Sequence, residues 1–177
     1  KHLYYIDDSP EKFFVLSDRN NRKNFALYEA YFNKTDEKYW TLLVNHKKNE
    51  LIEDFLCFKE FIILETRKRG MPCLIQFNLK NNKKNYINFK DLTYTLNLVK
   101  NNDYDAKNFI FAYSSLKTPS TIYSQDLYTK KRKKLWNQKI LNHKENNYEI
   151  KRISIPARDR TRIPISLIHK KGIDLKK

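Results

Sequence analysis

The sequence predicts an all-β fold: a partial β-propeller of about three four-stranded blades, followed by one further β-hairpin. Three observations support this prediction. Short segments rich in aromatic and β-branched residues alternate with polar turns, no long stretch shows the 3.6-residue period of an amphipathic helix, and the strand-like segments recur at a constant step of 48 residues. The most prominent of them are FFVLS (13–17), FALYEAYF (25–32), YWTLLV (39–44), EFIILET (60–66), CLIQFNL (73–79), FIFAYS (109–114), TIYSQDL (121–127) and KKLW (133–136).

The repeat is visible by simple subtraction. The second strand of each unit is marked by Phe13, Phe61 and Phe109, and its partner strand by Leu27, Ile75 and Tyr123. A weaker apolar segment precedes each pair and a third apolar strand follows it, which makes four strands per unit, as in propeller blades. One such sheet cannot bury both of its faces, so the units must stack. We therefore predict a partial propeller over 1–145, with blades at roughly 1–48, 49–92 and 93–140.

The last part of the chain breaks the repeat. After the polar stretch NQKILNHKENN, two long strands flank the turn ARDRT, and apolar residues alternate along both: Ile153, Ile155, Ile163, Ile165 and Leu167. Alternation of this kind predicts strands with one apolar face. We therefore predict a domain boundary near Asn146, with residues 146–177 as the truncated start of a second domain.

The chain is strongly basic, with a formal charge of +16. A charge of this size is typical of proteins that bind nucleic acids, and the runs ETRKRG (65–70) and TKKRKKLW (129–136) contribute to it. Both runs lie at predicted turns between strands, where Lys and Arg are solvated and discourage edge pairing. We expect nonspecific binding of polyanions at low salt, and a nucleic-acid-binding function stays open as an alternative.

No pattern in the sequence indicates a catalytic, cofactor-binding or metal site. The histidines His2, His46, His143 and His169 lie in different predicted elements, so nothing indicates a Ser–His–Asp set. We expect this chain alone to be inactive as an enzyme and to need no cofactor.

Several polar residues have a structural explanation. Glu53 and Asp54 are neighbours in a predicted strand and should face opposite sides of it, and for these residues, Asp103 and Asp105 we expect turn and inter-blade hydrogen bonds. We expect blade-closing hydrogen bonds at the strand end formed by Tyr113, Ser114 and Ser115. The Thr118-Pro119 pair should preorganise the hairpin loop in which it lies.

Cysteine use and hydropathy predict a cytoplasmic protein. Cys57 and Cys73 lie in apolar segments without neighbours at metal-binding spacing, as expected of buried thiols in a reducing compartment. No apolar run reaches the length of a membrane span, and the first residues lack the apolar core of a signal peptide. Because the chain starts at Lys1, we expect it to be a piece of a longer product.

The most specific pattern lies in FAYSSLKTPSTIYSQDL (111–127) and YEIKRISIPARDRTRIPISLIHKKG (148–172). These segments resemble the prolyl oligopeptidase family of serine peptidases, above all its oligopeptidase B (protease II) branch. LIEDF (51–55) and ETRKRG resemble the preceding blade of that family. The matching positions are Tyr113, Ser114, Ser115, Thr118, Pro119, Thr121, Ile122, Tyr123, Asp126, Leu127, Ala157, Arg158, Asp159, Pro164, Ile165, Ser166 and Leu167.

The resemblance implies a two-domain enzyme in which a seven-bladed propeller covers an α/β-hydrolase domain and limits substrate size. The oligopeptidase B branch cleaves short peptides after Arg or Lys. Its Ser, Asp and His would all lie beyond the equivalent of Lys177, so no catalytic residue is carried over to this chain, and a Gly-x-Ser-x-Gly elbow is absent from it. A companion chain that supplies the hydrolase domain is one expected partner, and we expect no membrane partner.

One position departs from the family pattern. The family's Asp-Gly turn is Asp159-Arg160 here. A two-residue hairpin turn favours positive φ, and a side chain there costs roughly 1–2 kcal/mol. Either the turn has changed type or this copy has drifted under relaxed selection, and we favour drift. Besides the peptidase fragment, a stand-alone β-interaction module, a basic nucleic-acid-binding protein and an inactive split-gene remnant stay open.

Overall fold

The computed structural model describes residues 1–174. In this range fourteen strands form three four-stranded antiparallel sheets and one two-stranded sheet, and the only helical segments are the 3-10 turns Glu37–Tyr39 and Glu145–Asn147. The predicted all-β fold is confirmed. The strands are β1 (Tyr4–Asp8), β2 (Lys12–Ser17), β3 (Ala26–Tyr31), β4 (Thr41–Val44), β5 (Glu50–Cys57), β6 (Phe61–Lys68), β7 (Met71–Asn78), β8 (Lys84–Ile87), β9 (Tyr94–Leu98), β10 (Asn108–Ser115), β11 (Thr121–Asp126), β12 (Arg132–Asn137), β13 (Tyr148–Pro156) and β14 (Arg162–Lys170).

Each four-stranded sheet is a meander in which consecutive strands are neighbours, in the orders β1-β2-β3-β4, β5-β6-β7-β8 and β9-β10-β11-β12. Short hairpins explain this order, because antiparallel strands need only a few residues to reverse direction. Phe13, Phe61 and Phe109 all lie in the second strand of their sheets. The four-strand repeat predicted from the sequence is therefore present.

The 48-residue step does not preserve the face of the sheet in those second strands. Phe61 packs toward the third sheet and Phe109 packs back toward the second, whereas Phe13 packs with Val15 on the face of the first sheet that points away from the second. Side chains alternate along a strand, so a shift of one residue reverses the face. Phe14 and Phe61, 47 positions apart, both face the following sheet. The simple superposition at 48 is therefore wrong for these faces.

Two apolar cores hold the three sheets together. The core between the first and second sheets centres on Phe14, Leu16, Leu27, Ile62 and Leu64. The core between the second and third sheets contains Phe58, Phe61, Ile63, Leu74, Phe109 and Phe111, all buried. Burying a side chain of this size is worth roughly 1.5–3 kcal/mol, so the stacking of sheets provides the stabilisation that one blade lacks.

The terminal hairpin, β13 and β14, pairs from Tyr148↔Lys170 to Pro156↔Arg162. Its predicted apolar face exists, because Ile153 lies opposite Ile165 and Ile155 opposite Ile163. Most of that face is exposed, and only Ile150, on the other face, is buried against the blades. The division into domains near Asn146 stays a prediction.

The hairpin turn differs from the two-residue turn that we expected. Ala157 and Thr161 close it through an N–H···O=C bond of 2.8 Å, and Arg160 N donates to Ala157 O at 3.0 Å. The loop is therefore the three-residue type, in which a residue with positive φ follows a type I turn. Arg160 is that residue, with φ of 67°, so it adopts the backbone conformation that favours glycine.

Candidate functional site

The first strands of the three sheets lie beside one another where the sheets converge, β5 between β1 and β9. β1 (YYIDD) carries two carboxylates and β5 (ELIEDFLC) three, and neither contains Lys or Arg. At the opposite edge lie the fourth strands β8 (KNYI) and β12 (RKKLWN), and all of their charged residues are Lys or Arg. Glu50 and Glu53 are paired with Lys47 and Arg67. Within the described residues the net negative charge of the converging edge therefore comes from Asp7, Asp8 and Asp54.

Glu65 on β6 lies opposite Asp54 on β5 and adds another carboxylate beside this edge. Burial raises the pKa of Glu65; the N–H of Leu98, which donates to Glu65 Oε2 at 3.0 Å, opposes this rise, and Glu53 and Asp54 add to it. Arg67 pairs with Glu53 at 2.7 Å. Because opposite charge favours an ionised carboxylate, a cationic ligand at this edge would relieve the repulsion.

The terminal hairpin is tied to the blades by two hydrogen bonds. Arg152 Nη2 donates to Arg69 O in the β6–β7 turn at 2.9 Å, and the hydroxyls of Thr93 and Ser166 are 2.8 Å apart. Between hairpin and blades lies an open groove of about 900 Å³. Its lining includes four cations, Lys68, Arg69, Arg152 and Arg162.

A buried carboxylate, that of Asp91, accepts hydrogen bonds from the third sheet near the contact between hairpin and blades. The side chain of Asp91, between β8 and β9, accepts hydrogen bonds from Tyr113 Oη at 2.7 Å and from Lys117 Nζ at 3.0 Å. Burial alone would raise the pKa of Asp91, but the hydrogen bonds from Tyr113, Ser115 and Lys117 outweigh burial and lower it. The ionised carboxylate thus holds the β10–β11 loop against the β8–β9 segment.

The same loop contacts the segment that leads into the hairpin. Thr118 Oγ1 lies 3.2 Å from Asp91 Oδ2 and 3.1 Å from Glu145 Oε2, so its hydroxyl can donate to either carboxylate. His143 Nε2 lies 2.6 Å from Lys117 O, and its ring stacks on Tyr148. Hydrogen bonds and one ring contact therefore connect the third blade to Tyr148, the first residue of the hairpin.

Comparison with known proteins identifies this architecture. The family model for the N-terminal β-propeller domain of prolyl oligopeptidase matches residues 1–138. The chain belongs to the prolyl oligopeptidase family. Dipeptidyl aminopeptidase BI of Pseudoxanthomonas mexicana is 24% identical over 171 residues, which are 96% of this chain and 24% of that protein.

Solved structures of the family match almost the whole chain. Oligopeptidase B from Trypanosoma brucei, in its closed form with covalently bound antipain, matches with a TM-score of 0.87 and 26% identity over 99% of this chain and 26% of that one. Oligopeptidase B from Leishmania major gives the same TM-score and coverage at 18% identity. The chain thus spans about a quarter of these relatives, and the hairpin beyond residue 138 is part of the matched structure.

The histidines of this family member do not converge. His2 lies 3.3 Å from a Glu37 carboxylate oxygen, His46 Nδ1 accepts the N–H of Asn24, and His169 lies near Glu149. Like His143, each lies beside its own backbone group or carboxylate, and no two of the four share a neighbour. Nor do residues 1–174 hold three or more His, Cys, Asp or Glu side chains arranged to bind a metal ion.

The predicted carboxylates lie in turns and ion pairs. A bulge between Ile52 and Asp54 interrupts the alternation we expected in β5, yet Glu53 and Asp54 have separate partners, because Asp54 accepts the N–H of Phe55. Asp103 accepts the N–H of Asp105 in a turn. Asp105 pairs with Lys59 of the second blade at 3.2 Å.

The strand end at Tyr113, Ser114 and Ser115 makes hydrogen bonds within the blade. Tyr113 donates to Asp91, Ser114 Oγ lies 2.7 Å from Thr95 Oγ1, and Ser115 Oγ accepts the N–H of Thr118 at 2.9 Å. The partner of Tyr113, Asp91, was not predicted from the sequence. No local pattern marks it, because it lies in an irregular segment 22 positions from Tyr113.

The two cysteines are unpaired. Cys57 is buried and Cys73 is partly exposed, and burial raises the pKa of both thiols. Thiols of this kind are poor nucleophiles because little thiolate forms. Across the part of the chain that the structure describes, no helix has the length and apolar character to cross a membrane.

Proposed function

We propose that this chain is the non-catalytic propeller portion of an oligopeptidase B-like serine peptidase that cleaves short peptides after Arg or Lys. One observation carries the proposal: blades and terminal hairpin together match an oligopeptidase B at 26% identity over 99% of the chain. The chain covers only 26% of that relative. In this proposal the remainder of the enzyme, in the same or a companion polypeptide, supplies the nucleophile and its general base.

The charge distribution supports a preference for basic peptides. Over residues 1–174, Asp7, Asp8 and Asp54 lie at the converging edge of the sheets without an ion pair and without Lys or Arg on their strands. A cationic ligand there would also favour ionisation of Glu65, which burial disfavours. A field of one sign in a concave region raises the local concentration of oppositely charged ligands. Peptides with Arg or Lys would therefore be drawn toward the centre of the propeller.

The stacked blades support a role in limiting substrate size. Their shared cores are closely packed and buried, so the sheets form rigid walls. Walls of this kind around a central opening admit an extended peptide and exclude a folded domain. The same proposal places the enzyme in the cytoplasm, which the two unpaired cysteines support.

The test uses the polypeptide that carries these residues in its source cell, captured with an antibody against this chain. We expect it to hydrolyse short peptides after Arg or Lys, to lose activity with a serine-directed organophosphate, and to leave folded proteins uncut. Equal cleavage after neutral residues would overturn the assigned specificity. Hydrolysis by residues 1–177 alone would overturn the non-catalytic role.

A further inference from the structure

A second polar groove lies at the outer edge of the propeller, between β8 of the second sheet and β11 and β12 of the third. It has a volume of about 360 Å³, and Lys84, Lys130 and Arg132 line it. Both walls belong to sheets whose common core is complete within this chain. The groove therefore does not depend on further blades for its shape.

The guanidinium of Arg132 is held in place without a carboxylate. Its Nε and Nη2 donate to Gln125 Oε1 at 3.1 and 3.0 Å, and its central carbon lies 4.8 Å from the ring centre of Phe89 and 5.1 Å from that of Phe111. A guanidinium has five N–H donors, so several stay available. Burial lowers the pKa of Arg132, Tyr123 and Tyr113 oppose this, and no carboxylate within residues 1–174 pairs with the guanidinium.

The other two cations also have no ion pair of their own. Within residues 1–174 neither Lys84 nor Lys130 has an ion pair with a carboxylate. Burial lowers the pKa of Lys84, Lys47 lowers it further, and the carboxylate of Glu50 partly offsets both effects. Lys84 also lines the groove between the first and second sheets, where the buried Glu50 pairs with Lys47 at 2.6 Å.

The floor of the outer groove offers hydrogen-bond donors. Gln76 and Gln125 both line it and are only 2% and 4% exposed. Gln76 Nε2 donates to Leu127 O, and Gln125 uses its oxygen for Arg132. The NH₂ group of Gln125 is thus available to a ligand. Three cations and an amide donor form a concave surface suited to an anion.

We propose that this groove binds a small, free, multiply charged oxyanion of the phosphate or diphosphate type. Such a ligand would supply the negative charge that the groove lacks and would accept the planar fork of Arg132 through two oxygens. A volume of about 360 Å³ accommodates it. The inference is independent of the peptidase assignment, since it concerns the outer edge and a binding event.

The test is calorimetric titration of the polypeptide that carries this chain with inorganic phosphate and with diphosphate, at constant ionic strength. Two variants remove groove charges: Lys84→Gln on β8, and Lys130→Asn, which suits the φ of 61° at that position. The matched control is Lys133→Gln, which removes the same charge from β12 next to Arg132 but outside the groove lining. Circular dichroism verifies that each variant is folded.

We expect saturable binding with diphosphate tighter than phosphate. Each groove variant should bind about tenfold more weakly, the loss of one charge-assisted hydrogen bond, and Lys133→Gln should bind like the parent. Equal weakening in Lys133→Gln, or no saturable binding at millimolar diphosphate, would overturn the proposal. A clear preference for single-stranded RNA over diphosphate would replace it with a nucleic-acid interface. Peptidase activity is not the readout, so failure here leaves the proposed function standing.

Discussion

Tyr113 donates a hydrogen bond of 2.7 Å to the buried carboxylate of Asp91, 22 positions earlier in the chain. This bond joins the third blade to the segment that precedes it. We expect Tyr113→Phe to lower the free energy of unfolding by about 1–2 kcal/mol, because a buried acceptor loses a donor. Denaturant unfolding measures the change. Tyr123→Phe is the control, since no hydrogen bond of its hydroxyl is part of this network, and a similar loss there would contradict the explanation.

The ionisation of Asp91 predicts that stability falls at acid pH. The folded pKa of Asp91 lies below its ordinary value of 3.8, so its stabilising contribution is present above pH 3.8 and is lost as the pH falls through the lower folded value. We expect Asp91→Asn to be less stable than the parent at pH 7, with the difference shrinking at the acid end. Unfolding midpoints between pH 7 and pH 2 test this. A constant difference across that range would show that Asp91 does not act through its charge.

Glu65 predicts a pH dependence of stability with the opposite sign. Its pKa is raised above the ordinary value of 4.5 by burial, so the protonated form is favoured on folding and the penalty for ionisation appears as the pH rises through the folded pKa. We expect Glu65→Gln to be more stable than the parent at pH 7 and no more stable below pH 4.5. Glu53→Gln is the contrasting variant, because it loses the ion pair with Arg67 and should be less stable by about 0.2–1 kcal/mol.

The hairpin turn offers a stabilising substitution. Arg160 has φ of 67°, a conformation that costs a non-glycine residue roughly 1–2 kcal/mol. Glycine also makes the unfolded chain more flexible, so we expect Arg160→Gly to gain about 0.5–1 kcal/mol net. Arg158→Gly, two residues earlier and without positive φ, should instead lose stability. Thermal unfolding of both variants decides, and a loss at both positions would show that the turn is unstrained.

The exposed strands predict self-association of residues 1–177 on their own. Tyr4, Tyr5 and Ile6 on β1 and Leu135 and Trp136 on β12 are each about half exposed, and the apolar face of the terminal hairpin has no cover within the described residues. Exposed edges and patches of this kind pair with other chains. Size-exclusion chromatography should show a broad, concentration-dependent distribution. A monodisperse, cooperatively melting monomer would contradict this expectation.

Local features of the sequence were enough to identify strands and their order. The segments around Phe61 and Phe109 are apolar, β-branched and bounded by turn residues, and hairpin connection leaves little choice of neighbour. The resemblance to the peptidase family likewise rests on ordered matches such as Tyr113 and Thr118. The cationic groove was not predictable, because Arg132 lies in a basic run that looks solvated until Phe89 and Phe111 are brought beneath it.

The sequence by itself determined an all-β chain of repeated four-stranded sheets followed by a hairpin, because strand propensity and turn chemistry act over a few residues. Tertiary structure alone decided which face of each strand is buried. Phe13 and Phe61 are an even number of positions apart yet face opposite ways relative to the next sheet, since blade stacking sets the face and a shift of one residue reverses it. It also decided that Asp91 meets Tyr113 and that Arg132 is left without a carboxylate, because those contacts join segments that are distant in the chain.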